Sequence, residues 1–465
     1  MWTKSRRDFL VSAGKGFGAA AAASLLPASP LSPKRPPEAA RAKAVIYLYM
    51  HGGVSHVDTW DPKPELARLS GQTLPASFVK GLKTSRIDFT KALARGSAWP
   101  FRPRGQSGLE ISDLFPHMAA HADELALVRS CHGDAFDHAP AMYLHATGSQ
   151  FPGRPSLGSW VVYGLGSENQ NLPAFVVMTD GAMKCGPQGY GAGFLPAVYQ
   201  GTMFRGGKSP VLDLATPEGV SGQTQRATLD LVGDLDRQHL AQRPHDSDLE
   251  ARLESYELAF RMQSEAPEAV DIGKESEATK RLYGIGGGLS DDYGRKCLLA
   301  RRLVERGVRF IHLSAGTHLG DDWDGAHNDL TGSHTRMAAK TDQPIAGLLA
   351  DLKGRGLLDS TLVVWGSEFG RTPLAEGRNG RDHHPYAFST WFAGAGVKGG
   401  RVLGSTDEFG LRPADNPIEA HDINATFLRM LGMDHRKLTY FYQGRDMRLT
   451  DVHGDNEFTR FLLGA

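Results

Sequence analysis

The feature that most constrains the fold is the alternation of short, continuously apolar segments with longer segments of helical periodicity. Six segments of five to seven residues are apolar nearly throughout, as strands buried on both faces of a sheet are. They are Ala44–Met50, Leu125–Arg129, Ala174–Met178, Val308–Leu313, Thr361–Trp365 and Ser389–Ala393. Helical periodicity is found in Asp248–Ser264, Glu275–Leu282, Tyr293–Glu305 and His334–Lys353. This alternation predicts an α/β sandwich in which helices flank a mostly parallel central sheet.

The charge distribution limits the class of partner. The 465 residues include 52 Lys and Arg against 52 Asp and Glu, so the formal net charge is zero. Residues 1–42 hold seven basic and two acidic side chains, a formal charge of +5, which leaves about −5 for residues 43–465. A surface that binds nucleic acid needs an excess of basic side chains. We therefore expect no nucleic-acid partner.

The three cysteines give little guidance. Cys131, Cys185 and Cys297 are far apart and form no zinc-type pair. They allow at most one disulfide with one thiol left over, or three free thiols.

The N-terminus is typical of an export signal. The twin-arginine pattern Ser5–Leu10 is followed by a short apolar run from Phe17 to Leu26. That run is shorter than the roughly 20 apolar residues that span a bilayer. We therefore expect export by the twin-arginine translocation machinery to the periplasm or the cell exterior, with no membrane span in the mature protein.

The signal and its proline-rich spacer are assigned to residues 1–42, and a single domain to residues 43–465. We expect the segment from Pro27 to Pro37 to be flexible. Two cleavage points remain open, one between Pro27 and Ala28 and one after Ala40-Arg41-Ala42.

Polar side chains stand beside the predicted strands, mostly where the strands end. Ligands of open α/β sheets bind at the carboxyl ends of the strands. Each cluster alone could equally be a polar loop, a helix cap or a surface histidine. Together they favour one shared site for a metal and an anion. The candidate residues are Asp58, His132, Asp137, His138, Asp324, His327, Glu368, Arg371, His383 and His384.

Residue type and spacing indicate the chemistry of this site. Asp324 and His327 are three residues apart, so on a turn or helix start they can point to one centre. Mixed carboxylate and imidazole ligands suit zinc, manganese or iron. Arg371 offers a planar fork that matches phosphate or sulfate. A helix predicted to start near Ala139-Pro140 would also favour an anion at its N-terminus.

Five sequence motifs together resemble a known family. They are Ser5–Leu10, Gly52–Pro64, Trp323–His327, Trp365–Pro373 and Gly380–Pro385. The chain resembles the secreted bacterial family called domain of unknown function, number 1501, a branch of the alkaline phosphatase and sulfatase superfamily. The resemblance covers essentially all of the chain after the signal. It implies an alkaline phosphatase-like (sulfatase-like) sandwich and a hydrolytic site with one or two divalent metals, whether zinc, manganese, magnesium or calcium.

The resemblance also implies a role for each motif residue. It makes Asp58, Asp324, His327, Glu368 and His384, or His383 in place of His384, the metal ligands.

Two departures from the superfamily pattern bear on catalysis. Glu368-Phe369 replaces an Asp-His pair, and Asp137-His138-Ala139 stands where a nucleophilic hydroxyl is expected. Cys131 lacks the Cys-x-Pro-Ser-Arg pattern of sulfatases. Three outcomes remain open: His138 is the nucleophile or a ligand, a water molecule activated by the metal attacks, or activity is lost.

Two functions follow as hypotheses. The first is an exported, metal-dependent hydrolase of small anionic phosphate or sulfate esters. Arg371 and His383 would bind the anion, and His132 or His138, beside Asp137, would move a proton or attack. The second is a degenerate hydrolase fold that acts as an exported binding or scaffolding protein.

Overall fold

The structure is a computed structural model that describes residues 29–465 except Ser85, 208–209, 212–213, 217, 244–246 and 318–320. The Arg6-Arg7 pattern and the apolar run that follows it lie outside the described residues. Within the described part of the chain, no helix is both long enough and apolar enough to cross a bilayer.

A nine-stranded sheet forms the centre of the molecule. Its strand order is β12-β4-β11-β8-β1-β7-β5-β6, and β15 also pairs with β4. The remaining strands form four two-stranded sheets. Numbered along the chain, the strands are β1 Ala44–Met50, β2 Phe101–Arg104, β3 Leu109–Ser112, β4 Ala126–His132, β5 Phe175–Met178, β6 Thr202–Phe204, β7 Phe310–Ala315, β8 Thr361–Gly366, β9 Gly370–Arg371, β10 His383–His384, β11 Phe388–Ala393, β12 Arg401–Leu403, β13 Ser405–Thr406, β14 Pro413–Asp415, β15 Ile418–Glu419, β16 Tyr440–Tyr442 and β17 Arg445–Met447.

Strand direction decides which loops meet. In the large sheet β11 is antiparallel to both β4 and β8, whereas every other pairing is parallel. The carboxyl ends of β1, β4, β7 and β8 therefore share one edge of the sheet. Because β11 runs the other way, the chain that leads into it through β10 arrives at that same edge. The predicted α/β sandwich with a mostly parallel sheet is confirmed.

Helices cover both faces of the sheet. Alternate residues of β1 enter two separate apolar cores, with Ile46 and Leu48 in one and Val45 and Tyr47 in the other. The first core includes side chains of Asp291–Glu305 and Ala326–Gly354, and the second includes those of Leu157–Leu165 and Ala420–Met430. Full burial of such a side chain contributes roughly 1.5–3 kcal/mol. The helices are His56–Thr59, Pro64–Arg68, Ala76–Val79, His138–Thr147, Leu157–Leu165, Gly222–Gln242, Ser247–Val270, Glu277–Leu282, Asp291–Glu305, Ala326–Gly354, Ala420–Met430 and Thr459–Leu463.

Residues 29–42 pack against the domain instead of forming a flexible spacer. The backbone amides of Arg41 and Ala42 each donate to Met430 O at 2.9 Å, and Lys34 N donates to Leu165 O at 2.9 Å. Ala42 is itself buried in the second core. We call residues 29–42 the N-terminal strap. The prediction that the proline-rich segment is flexible is therefore wrong for the strap.

Two sequence-based expectations needed revision for physical reasons. The helix Gly222–Gln242 was not predicted because Asp236 is its only fully buried residue, so no apolar stripe marks it. The segment 201–222 is polar and contains glycine, a pattern that predicts a surface loop, but it includes the short strand β6 at the sheet edge. The three cysteines, all among the described residues, are free and buried.

Candidate metal centre

The site is built around Asp324, on the single turn Trp323–Gly325 that follows β7. The carboxylate of Asp322 accepts a hydrogen bond from the Asp324 amide at 3.0 Å, which fixes this turn. The loop after β1 passes directly over it at Gly52, whose φ is +116°. A Cβ on Gly52 would lie 2.4 Å from Asp324 N, so only glycine allows this approach.

Cationic and imidazole groups from five separate segments converge on the Asp324 carboxylate. Three of them are histidines, and each approaches Oδ1 through its Nε2 atom. The chain that leads into β10 can reach this point because Gly380 lies against His327, where a Cβ would meet the His327 carbonyl at 1.8 Å. The distances to Asp324 Oδ1 are 2.7 Å from Arg371 Nη2, 3.0 Å from His138 Nε2, 3.1 Å from His383 Nε2 and 3.3 Å from His327 Nε2, and Lys184 Nζ lies 2.7 Å from Oδ2.

The other ring nitrogen of each histidine already has an acceptor. His383 Nδ1 donates to Phe136 O at 2.8 Å, and His327 Nδ1 donates to the Glu376 carboxylate. In their neutral forms both rings therefore direct an unprotonated Nε2 at the shared centre. These two Nε2 atoms are only 2.9 Å apart. Facing lone pairs at this distance need a proton or a cation between them.

His138 differs from the other two histidines because it lies between two carboxylates. Its Nδ1 is 2.8 Å from Glu368 Oε1 while its Nε2 faces Asp324. Burial lowers the pKa of His138, but hydrogen bonds to Asp324 and Glu368 outweigh this and raise it overall. Burial, together with the nearby Arg371 charge, lowers the pKa of His383 to about 3. His383 is therefore neutral at physiological pH and can donate its lone pair.

The electrostatics of Asp324 match those of a ligand carboxylate. Burial tends to raise its pKa, but hydrogen bonds to His138, His327 and His383, with the charge of Arg371, hold it well below the ordinary range. The carboxylate is therefore ionised at any physiological pH.

The donor set fits a transition-metal ion. Atoms bound to one ion at about 2.0–2.2 Å stand roughly 2.9–3.5 Å from one another. Donor atoms of His138, Asp324 and His383 lie within 4.8 Å of one another, and those of His327, Asp382 and His383 form a second, overlapping group. An acceptor on the far nitrogen of each ring is what metal-binding histidines normally have. Three imidazoles and one carboxylate suit zinc, manganese or iron.

A family model described as a protein of unknown function, DUF1501, matches residues 42–458. The chain belongs to this family. The match spans all the residues of the candidate metal centre. Among curated proteins, no sequence matches this chain.

Several solved structures are similar to this DUF1501 protein. A sulfatase from Pseudoalteromonas sp. aligns with a TM-score of 0.38 at 13% identity, over 97% of this chain and 76% of that one. An alkaline phosphatase from the Antarctic bacterium TAB5 aligns with a TM-score of 0.37 at 11% identity, over 85% of this chain and 99% of that one. The lipoteichoic acid synthase LtaP from Listeria monocytogenes gives a TM-score of 0.39 at 8% identity, over 88% and 75%.

Asp58 and His384, predicted to be metal ligands, do not lie in the donor cluster. Asp58 is fully buried and forms an ion pair with Arg381 at 2.8 Å, and its carboxylate also accepts hydrogen bonds from Ser55 Oγ and Ala98 N. His384 Nε2 donates to Leu411 O at 2.9 Å. Burial lowers the pKa of His384 to about 3, so it is a neutral core histidine.

Glu368 and Arg371 contact residues of the donor cluster but do not belong to it. Glu368 Oε1 accepts hydrogen bonds from His138 and from Gly52 N at 2.7 Å, so Glu368 orients a donor and does not lie among the donors. Arg371 is fully buried and donates to the carbonyls of Gly52 and Gly53 as well as to Asp324. Its donors are engaged with the protein, so it positions Asp324 and is not available to bind a substrate anion.

The three remaining predicted residues lie in three different places. His383, expected to contact substrate, is instead a donor of the cluster. His132 lines a separate cavity, beyond the end of β4. Asp137 is an exposed residue at the start of the helix His138–Thr147 and its side chain makes no capping hydrogen bond.

Sequence reasoning missed Lys184, Asp322 and Glu376. Lys184 lies after β5 and contacts both Asp324 and, at 3.5 Å, Asp322. The side chain of Lys184 is 18% exposed to solvent, whereas that of Arg371 is fully buried. No motif marks Lys184, and only the proximity of β5 to β7 in the sheet brings it to the site.

Proposed function

We propose that this protein is an exported, metal-dependent hydrolase of small phosphate or sulfate esters. The observation that carries the proposal is the convergence of His138, His327 and His383 on Asp324, with the Nε2 atoms of His327 and His383 only 2.9 Å apart. This pattern is suited to a cation, and its position at the carboxyl edge of a parallel sheet is where α/β enzymes bind ligands. The resemblance of the motifs to the alkaline phosphatase and sulfatase superfamily supplies the substrate class.

Lys184 is the group assigned to the substrate anion. It is the partly exposed cation of the site, and its ammonium group lies 2.7 Å from Asp324 Oδ2. A phosphoryl or sulfuryl group that enters beside Asp324 therefore meets a positive charge at once. Charge-assisted hydrogen bonds of this kind contribute about 1.5–3 kcal/mol.

The other residues shape the site. Glu368 and Glu376 fix the orientations of His138 and His327 through the Nδ1 atoms. A bound divalent ion would polarise the phosphoryl or sulfuryl oxygen and stabilise the charge that develops on it. His138 is engaged at both ring nitrogens, so we assign the attack to a water molecule and not to the residue at the helix start.

Export is part of the proposal. It is supported by the twin-arginine pattern around Arg6-Arg7 and by the short apolar run behind it. Replacement of Arg6 and Arg7 by lysine should keep the protein in the cytoplasm, as measured by fractionation of the source bacterium against the unchanged chain.

The experiment that tests the activity pairs elemental analysis with an ester screen. The full-length mature protein is analysed for bound metals and then assayed with phosphate, phosphonate and sulfate monoesters in the presence of zinc, manganese, magnesium or calcium. We expect at least one equivalent of a transition metal, and turnover that is lost in Asp324→Asn.

The matched control is His239→Asn, because His239 is exposed on the helix Gly222–Gln242, which contributes no residue to the donor cluster. A protein that binds no metal, or one whose turnover is the same in Asp324→Asn and in the unchanged chain, excludes this function. Metal binding without turnover of any ester would favour a binding or scaffolding protein.

A further inference from the structure

A second cluster of metal-type side chains lies on another part of the same sheet edge. Strand β15 pairs in parallel with β4, so Glu419 stands opposite His132. The chain then enters the helix Ala420–Met430, which carries His421 in its first turn. The loop after β17 brings His453 to the same place. None of these side chains belongs to the Asp324 cluster.

The three donor atoms face one another. His421 Nδ1 lies 3.6 Å and His453 Nδ1 lies 3.7 Å from Glu419 Oε2. The two imidazole rings stack with centroids 4.4 Å apart and planes 16° apart. All three donor atoms lie within 4.8 Å of one another. Donors around one zinc-type ion are roughly 3–3.5 Å apart, so a small movement of the exposed Glu419 and His453 side chains closes the site.

Two contacts fix the ligands in advance. His421 Nε2 donates to Gly148 O at 3.1 Å, so in the neutral ring Nδ1 carries the free lone pair. Gly148 has φ +68°, and a Cβ there would meet Leu449 O at 2.0 Å, so glycine is required for this carbonyl to reach His421. The backbone amide of Glu419 donates to Asp422 Oδ2 at 2.8 Å, which fixes the backbone at this residue.

The cluster opens into a cavity of about 460 Å³. His132 and Asp134 line the same cavity, so further polar groups face the open side of the three ligands. Two imidazoles and one carboxylate with an open position are a ligand set of zinc sites, whereas magnesium and calcium prefer oxygen donors throughout. His132, which is not part of the Asp324 cluster, therefore lies beside this second group of donors.

We propose that Glu419, His421 and His453 form a second, zinc-type metal site whose open coordination position faces the cavity that His132 lines. The ion ties the loop after β17 to the start of the helix Ala420–Met430. The proposal is independent of the hydrolase function, because it uses different side chains and a different cavity.

Zinc titration of the chelator-treated, full mature chain tests the proposal by calorimetry. The unchanged protein should bind one equivalent more than His453→Ala, and His421→Gln should show the same loss or a weakening of at least about tenfold. Asp324→Asn should keep the Glu419 equivalent while it loses the other. His453 is half exposed, so its replacement leaves the core intact.

Cobalt provides a second readout that does not depend on activity. The absorption bands of protein-bound cobalt should include a component that disappears in His453→Ala and remains in the control His239→Ala. Equal zinc stoichiometry and identical cobalt spectra in His453→Ala, His421→Gln and the unchanged protein would overturn the proposal.

Discussion

His327 and His383 direct their Nε2 atoms at each other across 2.9 Å, while the Nδ1 atom of each ring already donates to another acceptor. The two segments that carry them come from opposite directions. His327 lies in the first turn of the helix Ala326–Gly354 after β7, and His383 lies on β10, which leads into the antiparallel strand β11. The reversed direction of β11 is therefore what completes the donor set.

Replacement of either histidine should remove the metal. We expect His383→Ala and His327→Ala to lower the bound metal by at least about tenfold at equal free concentration, because each removes one donor and its fixed partner. Elemental analysis after dialysis against a metal buffer measures this. The exposed His239→Ala should retain the full content, and retention in all three variants would contradict the assignment.

Lys184→Met should affect the substrate and leave the metal in place. Loss of one charge-assisted contact of about 1.5–3 kcal/mol corresponds to a fall of about 10–100-fold in kcat/KM. Steady-state kinetics and metal content are measured on the same preparation. Lys83→Met, at an exposed position, is the control. An unchanged kcat/KM in Lys184→Met would show that the anion binds elsewhere.

Arg371→Lys should weaken both stability and metal binding although the charge is kept. Lysine cannot reach Gly52 O, Gly53 O and Asp324 together, so buried acceptors lose their partners at a cost of about 2 kcal/mol or more. Denaturant unfolding measures this. The matched control is Arg336→Lys, since the exposed Arg336–Asp321 pair contributes about 1 kcal/mol at most. Similar losses in the two variants would refute the positioning role.

The buried pair of Asp58 and Arg381 predicts an acid-sensitive contribution to stability. Burial tends to raise the pKa of Asp58, but the charge and hydrogen bond of Arg381, together with the hydrogen bond from Ser55, lower the pKa below its usual 3.8. As the pH falls, the Asp58 carboxylate is therefore protonated in the unfolded chain before it is protonated in the folded chain. The stabilisation by the ion pair is present above about pH 4 and is lost as the pH falls through the lower folded-state pKa.

Comparison with Asp58→Asn isolates this contribution. The variant should be less stable by about 3–5 kcal/mol at pH 7, because Arg381 is left buried without its counter-charge. The difference from the unchanged protein should shrink below pH 4, as measured by urea unfolding at several pH values. A difference that is constant between pH 7 and pH 3 would contradict the ion-pair explanation.

The N-terminal strap should be required for full stability. A chain that begins at Lys43 loses the strap's hydrogen bonds to Leu165 and Met430 and the burial of Ala42, so we expect its free energy of unfolding to fall by at least about 2 kcal/mol. A chain that begins at Ser29 is the control. Equal thermal unfolding of the two chains would show that the strap does not stabilise the domain.

The sequence predicted the parts of the site that depend on local pattern. The strands were recognisable because they are continuously apolar, and Asp324 with His327 because both lie within one turn and helix start. His383 and His384 could not be told apart from sequence. Successive residues of a strand face opposite sides, so His383 enters the cluster while His384 stacks on His56.

Long-range partners account for what the sequence did not predict. Asp58 stands where the resemblance implies a ligand, but its charge is taken by Arg381, more than 300 residues away. Arg371 has the right chemistry for an anion, yet its burial under the loop after β1 commits its donors to the protein. Lys184 carries no motif and is placed only by the strand order.

The hydrogen bonds of Arg371 also bear on the order of folding and metal binding. They connect the loop after β1 to Asp324, so contacts within the chain hold both the loop and the carboxylate. A centre held in this way is preorganised, so the metal uptake that we propose would not have to order the chain. Ion exchange should then leave the fold intact, and the metal can be acquired in whichever compartment supplies it.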